Sequence, residues 1–193
     1  MFYEIIFFSL LSVITALLFL LIKKRKFDFN KYKITVKGYK IIILATVIKI
    51  AAEFLFKKYT NVSLFRFLSL SWVIYIALLY VSLLNIKKSY MMLFFLGTLF
   101  NFIAIAANGF KMPVYVSELL SDFEAKKMFL LSGNDLVHSL LTKETRLKFL
   151  CDIITLHPPY PFPKTISVGD ILLLSGIFAF WQDLFYKSSV SKQ

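Results

Sequence analysis

FYEIIFFSLLSVITALLFLLI, Phe2 to Ile22, carries one charged residue, Glu4. A run of this length is about 31 Å long as a helix, enough to cross a hydrocarbon core of roughly 30 Å. A secretory signal peptide would need a basic start, a shorter apolar run and a small-residue cleavage site, and none is present. The stretch is therefore expected to be a membrane anchor, and the rest of the chain repeats its pattern. Of 193 residues, 59% are hydrophobic, and the mean hydropathy is +0.73. Charges gather in blocks between apolar runs instead of spreading along the chain, as in a polytopic membrane protein.

Further spans are expected at about 39–56, 67–86, 90–107 and 168–185, with a polar-leaning segment, 108–165, before the last. The expected fold class is all-α: a single membrane domain, 1–193, of five transmembrane helices with an amphipathic cap between the fourth and fifth. The block Lys23 to Lys40 holds eight basic residues and one acid. It shares a side with Lys87, Lys88 and the basic tail. The positive-inside rule then places the N-terminus extracytoplasmic and the C-terminus cytoplasmic, in the cell inner (plasma) membrane.

The net charge of +12 does not point to nucleic acid. Lysines sit at the ends of apolar runs and build no continuous basic face. One cysteine, Cys151, excludes an intramolecular disulfide and a cysteine-based zinc cluster. No spacing implies a cofactor or a metal.

Within segment 108–165, TKETRLKFLCDIITL (142–156) places Leu147, Leu150, Cys151 and Ile154 at helical spacing, with Thr142 as N-cap. A helix in the interface, or one packed over the outer mouth of the bundle, is expected there. A plain cap over helix ends explains the same pattern. SELLSDFEAKKMFLL, from Ser117, is a second candidate, separated from the first by Gly133 and Asn134.

Asn108 and Gly109 fall where the fourth span must stop. Gly, and Asn after it, tolerate the left-handed conformation that closes a helix, and Pro113 prevents its resumption. Lys111 is free to reach the last helical carbonyls or an anionic partner. Ser167-Val-Gly-Asp170 has capping-box spacing, so Asp170 reads as a cap ahead of a catalytic acid. Four prolines in HPPYPFP (157–163) exclude helix just before it. Lys49 and Glu53 lie four apart on one face of the second span, and intramembrane charges mark either a register-fixing pair or a functional site. Asn101 is a candidate partner for them. His138, Asp152 and His157 could be drawn as an acid–base or metal set, and Cys151 with His157 as a thiol dyad. Neither spacing matches a motif with a mechanism.

Asn108, Gly109, Met112 and Pro113, then His138, Thr145, Arg146, Leu147, Leu150, Asp152 and Ile153, then Pro159, Pro161, Pro163, Ser167, Gly169 and Asp170 resemble, in that order, an uncharacterised bacterial multi-pass membrane family (domain-of-unknown-function family 5317). Its members commonly carry a second glycine where this chain has Phe110. The resemblance implies five spans and an outer face that matters, and no activity.

The leading expectation is a non-enzymatic binding or accessory protein. Its outward polar site, with Asn108, Lys111 and His138 as binding candidates, would hold a membrane lipid, a quinone-like molecule or another membrane protein. The alternatives are an enzyme on a lipid-linked substrate at the outer leaflet, with Asp152, His157 and Asp170 as acid–base candidates, and a small transporter using Lys49 and Glu53.

Overall fold

The computed structural model describes residues 2–28, 35–58, 72–120 and 122–191. These residues are mostly helical. Six α-helices are joined by short strands: α1 (Phe2–Ile22), β1 (Arg25–Phe27), α2 (Tyr39–Lys58), α3 (Trp72–Leu84), α4 (Ser89–Ala107), β2 (Met112–Val114), α5 (Phe123–Leu131), β3 (His138–Leu140), β4 (Ile154–Leu156), β5 (Lys164–Ile166), α6 (Val168–Lys187) and β6 (Ser189–Ser191).

Among the described residues three helices, α1, α4 and α6, are long and apolar enough to cross a membrane. Helix α2 has the length, 20 residues, but contains Lys40, Lys49, Glu53, Lys57 and Lys58. Helix α3 is apolar and shorter, and residues 67–71 of the expected third span lie outside the described residues. The expected boundaries at 2–22, 90–107 and 168–185 agree with α1, α4 and α6 to within two residues.

The helices pack in a row, α1 on α6, α6 on α4, α4 on α3 and α3 on α2. The α4–α6 contact is the tightest. A Cβ added to Gly97 would lie 2.6 Å from the carbonyl oxygen of Gly169, and one added to Gly169 would lie 2.0 Å from Asn101 Oδ1. Only glycine lets these two backbones meet. Polar side chains fasten α1 to α6. Ser12 Oγ donates to the Phe178 carbonyl at 2.8 Å, and Gln182 Nε2 donates to Ser12 O at 2.8 Å and Thr15 Oγ1 at 2.9 Å.

One end of the row is a common layer. Strands β1 and β6 pair antiparallel, Phe27 opposite Ser189, directly after α1 and α6, so these two helices run parallel. Asn85, after α3, holds the backbone of Lys37, just before α2, through its side-chain amide. Ser89, which opens α4, lines a groove together with Phe19 of α1 and Phe185 of α6. The opposite end carries everything from β2 to β5.

That second layer corrects two expectations. Residues 142–156 do not form a helix: they give a single 3-10 turn, Lys148–Leu150, and then β4. The amphipathic spacing is overridden by Leu147, whose backbone is left-handed at φ 50, a conformation that interrupts any right-handed helix. The segment expected to form the cap is also not purely helical. It contains β2 parallel to β3 and β4 antiparallel to β5, so all-α holds for the bundle alone. The candidate from Ser117 becomes helix α5 over Phe123–Leu131, ended at Gly133 with φ 72.

Candidate functional site

Helix α4 ends where the sequence says it must. The Asn108 N–H bonds to the Ile105 carbonyl, and Gly109 and Phe110 are both left-handed, at φ 69 and φ 62. The second of these is costly for a residue with a side chain. The Asn108 side chain does more than cap. Its Nδ2 donates to Ala104 O at 2.8 Å and Arg146 O at 2.9 Å, and its Oδ1 accepts from Arg146 N at 2.9 Å. It thus clamps the segment leading to Asp152 against the end of α4.

Strand β2 continues from this clamp and is fully buried. It pairs with β3 on one side, and on the other it receives residue 152. Asp152 N donates to Pro113 O at 3.1 Å, and Tyr115 N donates to Asp152 O at 2.8 Å. Thr165 of β5 closes the layer by donating its hydroxyl to Tyr115 O at 2.8 Å. Asp152 is therefore fixed by its backbone on both sides, and its side chain points where the strands dictate.

The other wall is the start of α6. Ser167 Oγ accepts from Asp170 N at 2.9 Å, Asp170 Oδ2 accepts from Ser167 N at 3.4 Å, and the capping box is complete. Asn101 of α4 locks it. Its Nδ2 donates to Asp170 Oδ1 at 2.9 Å, and its Oδ1 accepts from Ser167 Oγ at 2.8 Å. Both oxygens of Asp170 are thus engaged. All three side chains are buried, which such a network tolerates only when its members are satisfied.

Between these walls lies a cavity of about 420 Å³, bordered by Tyr75, Asn101, His138, Asp152, Lys164 and Asp170. Asp152 stands out. It is 7% exposed, and its Oδ1 has no hydrogen-bond partner. Burial, with the charge of Asp170 as a second cause, pushes its carboxyl up to about 8, against the smaller opposing pull of Lys164 and Lys126. At neutral pH it is largely a neutral acid, able to donate one hydrogen bond and accept others. Lys164 is tied to Glu4 of α1 at 3.0 Å. Burial alone would lower its pKa, but the Glu4 carboxylate outweighs that and raises it, so it stays a cation.

The cavity brings together Asp152, Asp170, His138 and Asn101 from the sequence candidates, and Asn108, Lys111, Cys151, His157, Lys49 and Glu53 do not border it. His138 Nδ1 lies 3.0 Å from Asp135 Oδ2. Asp135 also accepts the N–H groups of Val137 and His138, so the imidazole is oriented by its own turn. Lys111 donates to the carbonyls of Gly133 and Asp135 and serves as a tie within segment 108–165. His157 is exposed at the end of β4 and does not line the cavity. Cys151 is fully buried, donates to the Arg146 and Leu147 carbonyls, and has its thiol pushed up to about 11 by burial and by Asp152. It makes no dyad with His157.

Lys49 and Glu53 do pair, at 2.5 Å, but on α2 and away from the cavity. Asn101, expected beside them, bonds instead to Ser167 and Asp170. Among the described residues no three His, Cys, Asp or Glu side chains gather as a metal site. Lys164, Tyr75 and Thr165 were not singled out in the sequence. Lys164 sits in a proline-rich run that hides it, and its partner Glu4 lies near the other end of the chain.

A profile described as a family of unknown function (DUF5317) matches residues 33–182, and the chain belongs to that family. Comparison with curated proteins and with solved structures gives no match.

Proposed function

We propose that this chain is a five-span protein of the plasma membrane that binds, without transforming, the polar head of a membrane-borne ligand in the cavity under its outer cap. The N-terminus would be extracytoplasmic and the C-terminus cytoplasmic. Parallel α1 and α6, with α2, α3 and α4 turning at the same layer, support an odd number of crossings. Lys23, Lys24, Arg25 and Lys26 lie at that layer, which supports its being cytoplasmic.

The observation that carries the binding reading is Asp152: a buried carboxyl with an unpartnered oxygen, facing a cavity. An orphaned buried oxygen is costly, and a ligand hydroxyl or N–H would satisfy it. The neutral acid would in turn donate to a ligand carbonyl, as a quinone-like ring or an ester offers. The catalytic reading would draw on Asp170 and His157 beside Asp152, while His138, which borders the cavity, is held by Asp135 in its own turn. Asp170 is fully engaged in its cap, and His157 stands outside. The transport reading is weakened because Lys49 and Glu53 do not border the cavity.

Detergent-free extraction followed by native mass spectrometry tests this. The wild type is expected to retain one small ligand, Asp152→Asn to keep it in part, and Asp152→Leu to lose it while still inserting. Equal retention by all three, or a ligand converted to product over time, would overturn the reading.

A further inference from the structure

The end of the bundle away from the polar cavity holds features that the binding reading leaves unused. Two grooves meet at Leu20, near the end of α1. One, of about 500 Å³, has a floor of Leu17, Leu20 and Leu21 and a rim of Arg25, Lys26 and Phe27. The other, of about 520 Å³, lies between α1 and α6 and includes Ala16, Phe19, Phe178 and Phe185. Leu20 is shared by both and is itself buried.

The rim is held in place. Strand β1 is paired with β6, and the Phe27 ring packs on Phe185 with centroids 4.7 Å apart. The Arg25 guanidinium lies 5.2 Å from the centroid of the Tyr186 ring, a stacking that leaves its N–H edge available to an anion. Lys26 is exposed beside it, with Lys23 and Lys24 exposed on the preceding turn. The acid at the second groove, Asp183, is paired with Lys187 at 2.8 Å, so it adds little repulsion.

Two adjacent apolar grooves under a fixed cationic rim match a molecule with two apolar chains and one negative head. We infer that the β1 rim and the grooves flanking Leu20 form a seat for an anionic phospholipid, its phosphate on Arg25 and Lys26 and its acyl chains along α1. This rests on the proposed membrane reading but not on the Asp152 site. A juxtamembrane basic cluster attracts anionic lipid with an energy of about 1 kcal/mol per cation, or roughly a fivefold loss of preference for each charge removed.

The test uses the full chain in phosphatidylcholine nanodiscs containing a small fraction of labelled phosphatidylglycerol. Enrichment of the label around the protein is read by native mass spectrometry or by energy transfer from Trp181. The wild type is expected to enrich phosphatidylglycerol over phosphatidylcholine. R25Q/K26Q should lower that preference by more than tenfold. Leu17→Trp, which fills the groove floor without changing charge, should also lower it, and added inorganic phosphate should not compete. Absence of enrichment would overturn the seat, as would enrichment indifferent to R25Q/K26Q. Competition by inorganic phosphate with no effect of Leu17→Trp would reduce it to a phosphate patch. Alkaline extraction of the same membranes reports separately on the membrane reading: a chain that washes off refutes both, while a retained chain without enrichment refutes the seat alone.

Discussion

Replacing Asp152 with Asn should remove a pH dependence from the stability of the whole protein. An ordinary aspartate titrates at 3.8, whereas the buried Asp152 carboxyl titrates at about 8. Below pH 3.8 folded and unfolded chains both hold the proton. Between those values the folded chain keeps a proton that the unfolded chain has released. Stability contributed by the neutral carboxyl is thus fully present at low pH and is lost as pH rises toward 8. At about 1.4 kcal/mol per pH unit, easing as the group becomes half ionised at pH 8, raising pH from 6 to 8 should cost roughly 2 kcal/mol. For a chain of this size that is a fall in Tm of roughly 4–8 °C.

The Asn side chain has the shape of the neutral acid and does not titrate, so Asp152→Asn should lack this increment. Thermal unfolding in nanodiscs, followed by the fluorescence of Trp72 and Trp181, measures both curves from pH 5 to 9. The wild-type curve should fall steadily from pH 5 to 8 while the Asp152→Asn curve lacks that slope. Curves that stay parallel would show that Asp152 is not a buried neutral acid, and the cavity chemistry built on it would fail.

The tight helix contact makes its own demand: Gly97→Ala drives a Cβ to within 2.6 Å of a backbone oxygen and should cost about 1–3 kcal/mol, seen as a lower Tm at unchanged expression. Ser167→Ala removes the α6 cap and a partner of Asn101, so at least about 1 kcal/mol should be lost in the same assay. Gln182→Leu breaks the bonds from α6 to Ser12 and Thr15, and a loss of about 1 kcal/mol is expected from the usual strength of interhelical bonds in membranes. By contrast, Lys49→Leu together with Glu53→Leu should leave cavity-ligand retention unchanged, because that pair stands apart from the site.

The bundle was legible because each cue is local. A long apolar run, Asn108-Gly109 at one helix end and Ser167-x-x-Asp170 at another helix start are each decided within a few residues, and the backbone follows them. The cap was not legible, because its conformation is imposed from a distance. Leu147 and Leu150 have helical spacing, yet the Asn108 side chain grips the backbone of Arg146 and the next residue turns left-handed. Asp152 is a candidate in the sequence, but within a stretch whose spacing is helical. Its burial comes from pairing with β2, whose three residues carry no strand periodicity. Lys164 and Glu4 meet only because α1 and α6 lie side by side, and nothing in either local sequence signals the other.

The central claim is that segment 108–165 covers the outward end of a membrane bundle while β1 lies in the cytoplasm. Single cysteines at Lys143, by Lys143→Cys, and at Lys26, by Lys26→Cys, test it directly, since the buried Cys151 gives a quiet background. An impermeant maleimide should label Lys143→Cys in intact cells and Lys26→Cys only after permeabilisation. Labelling of Lys26→Cys in intact cells with Lys143→Cys protected would turn the protein over and contradict the account.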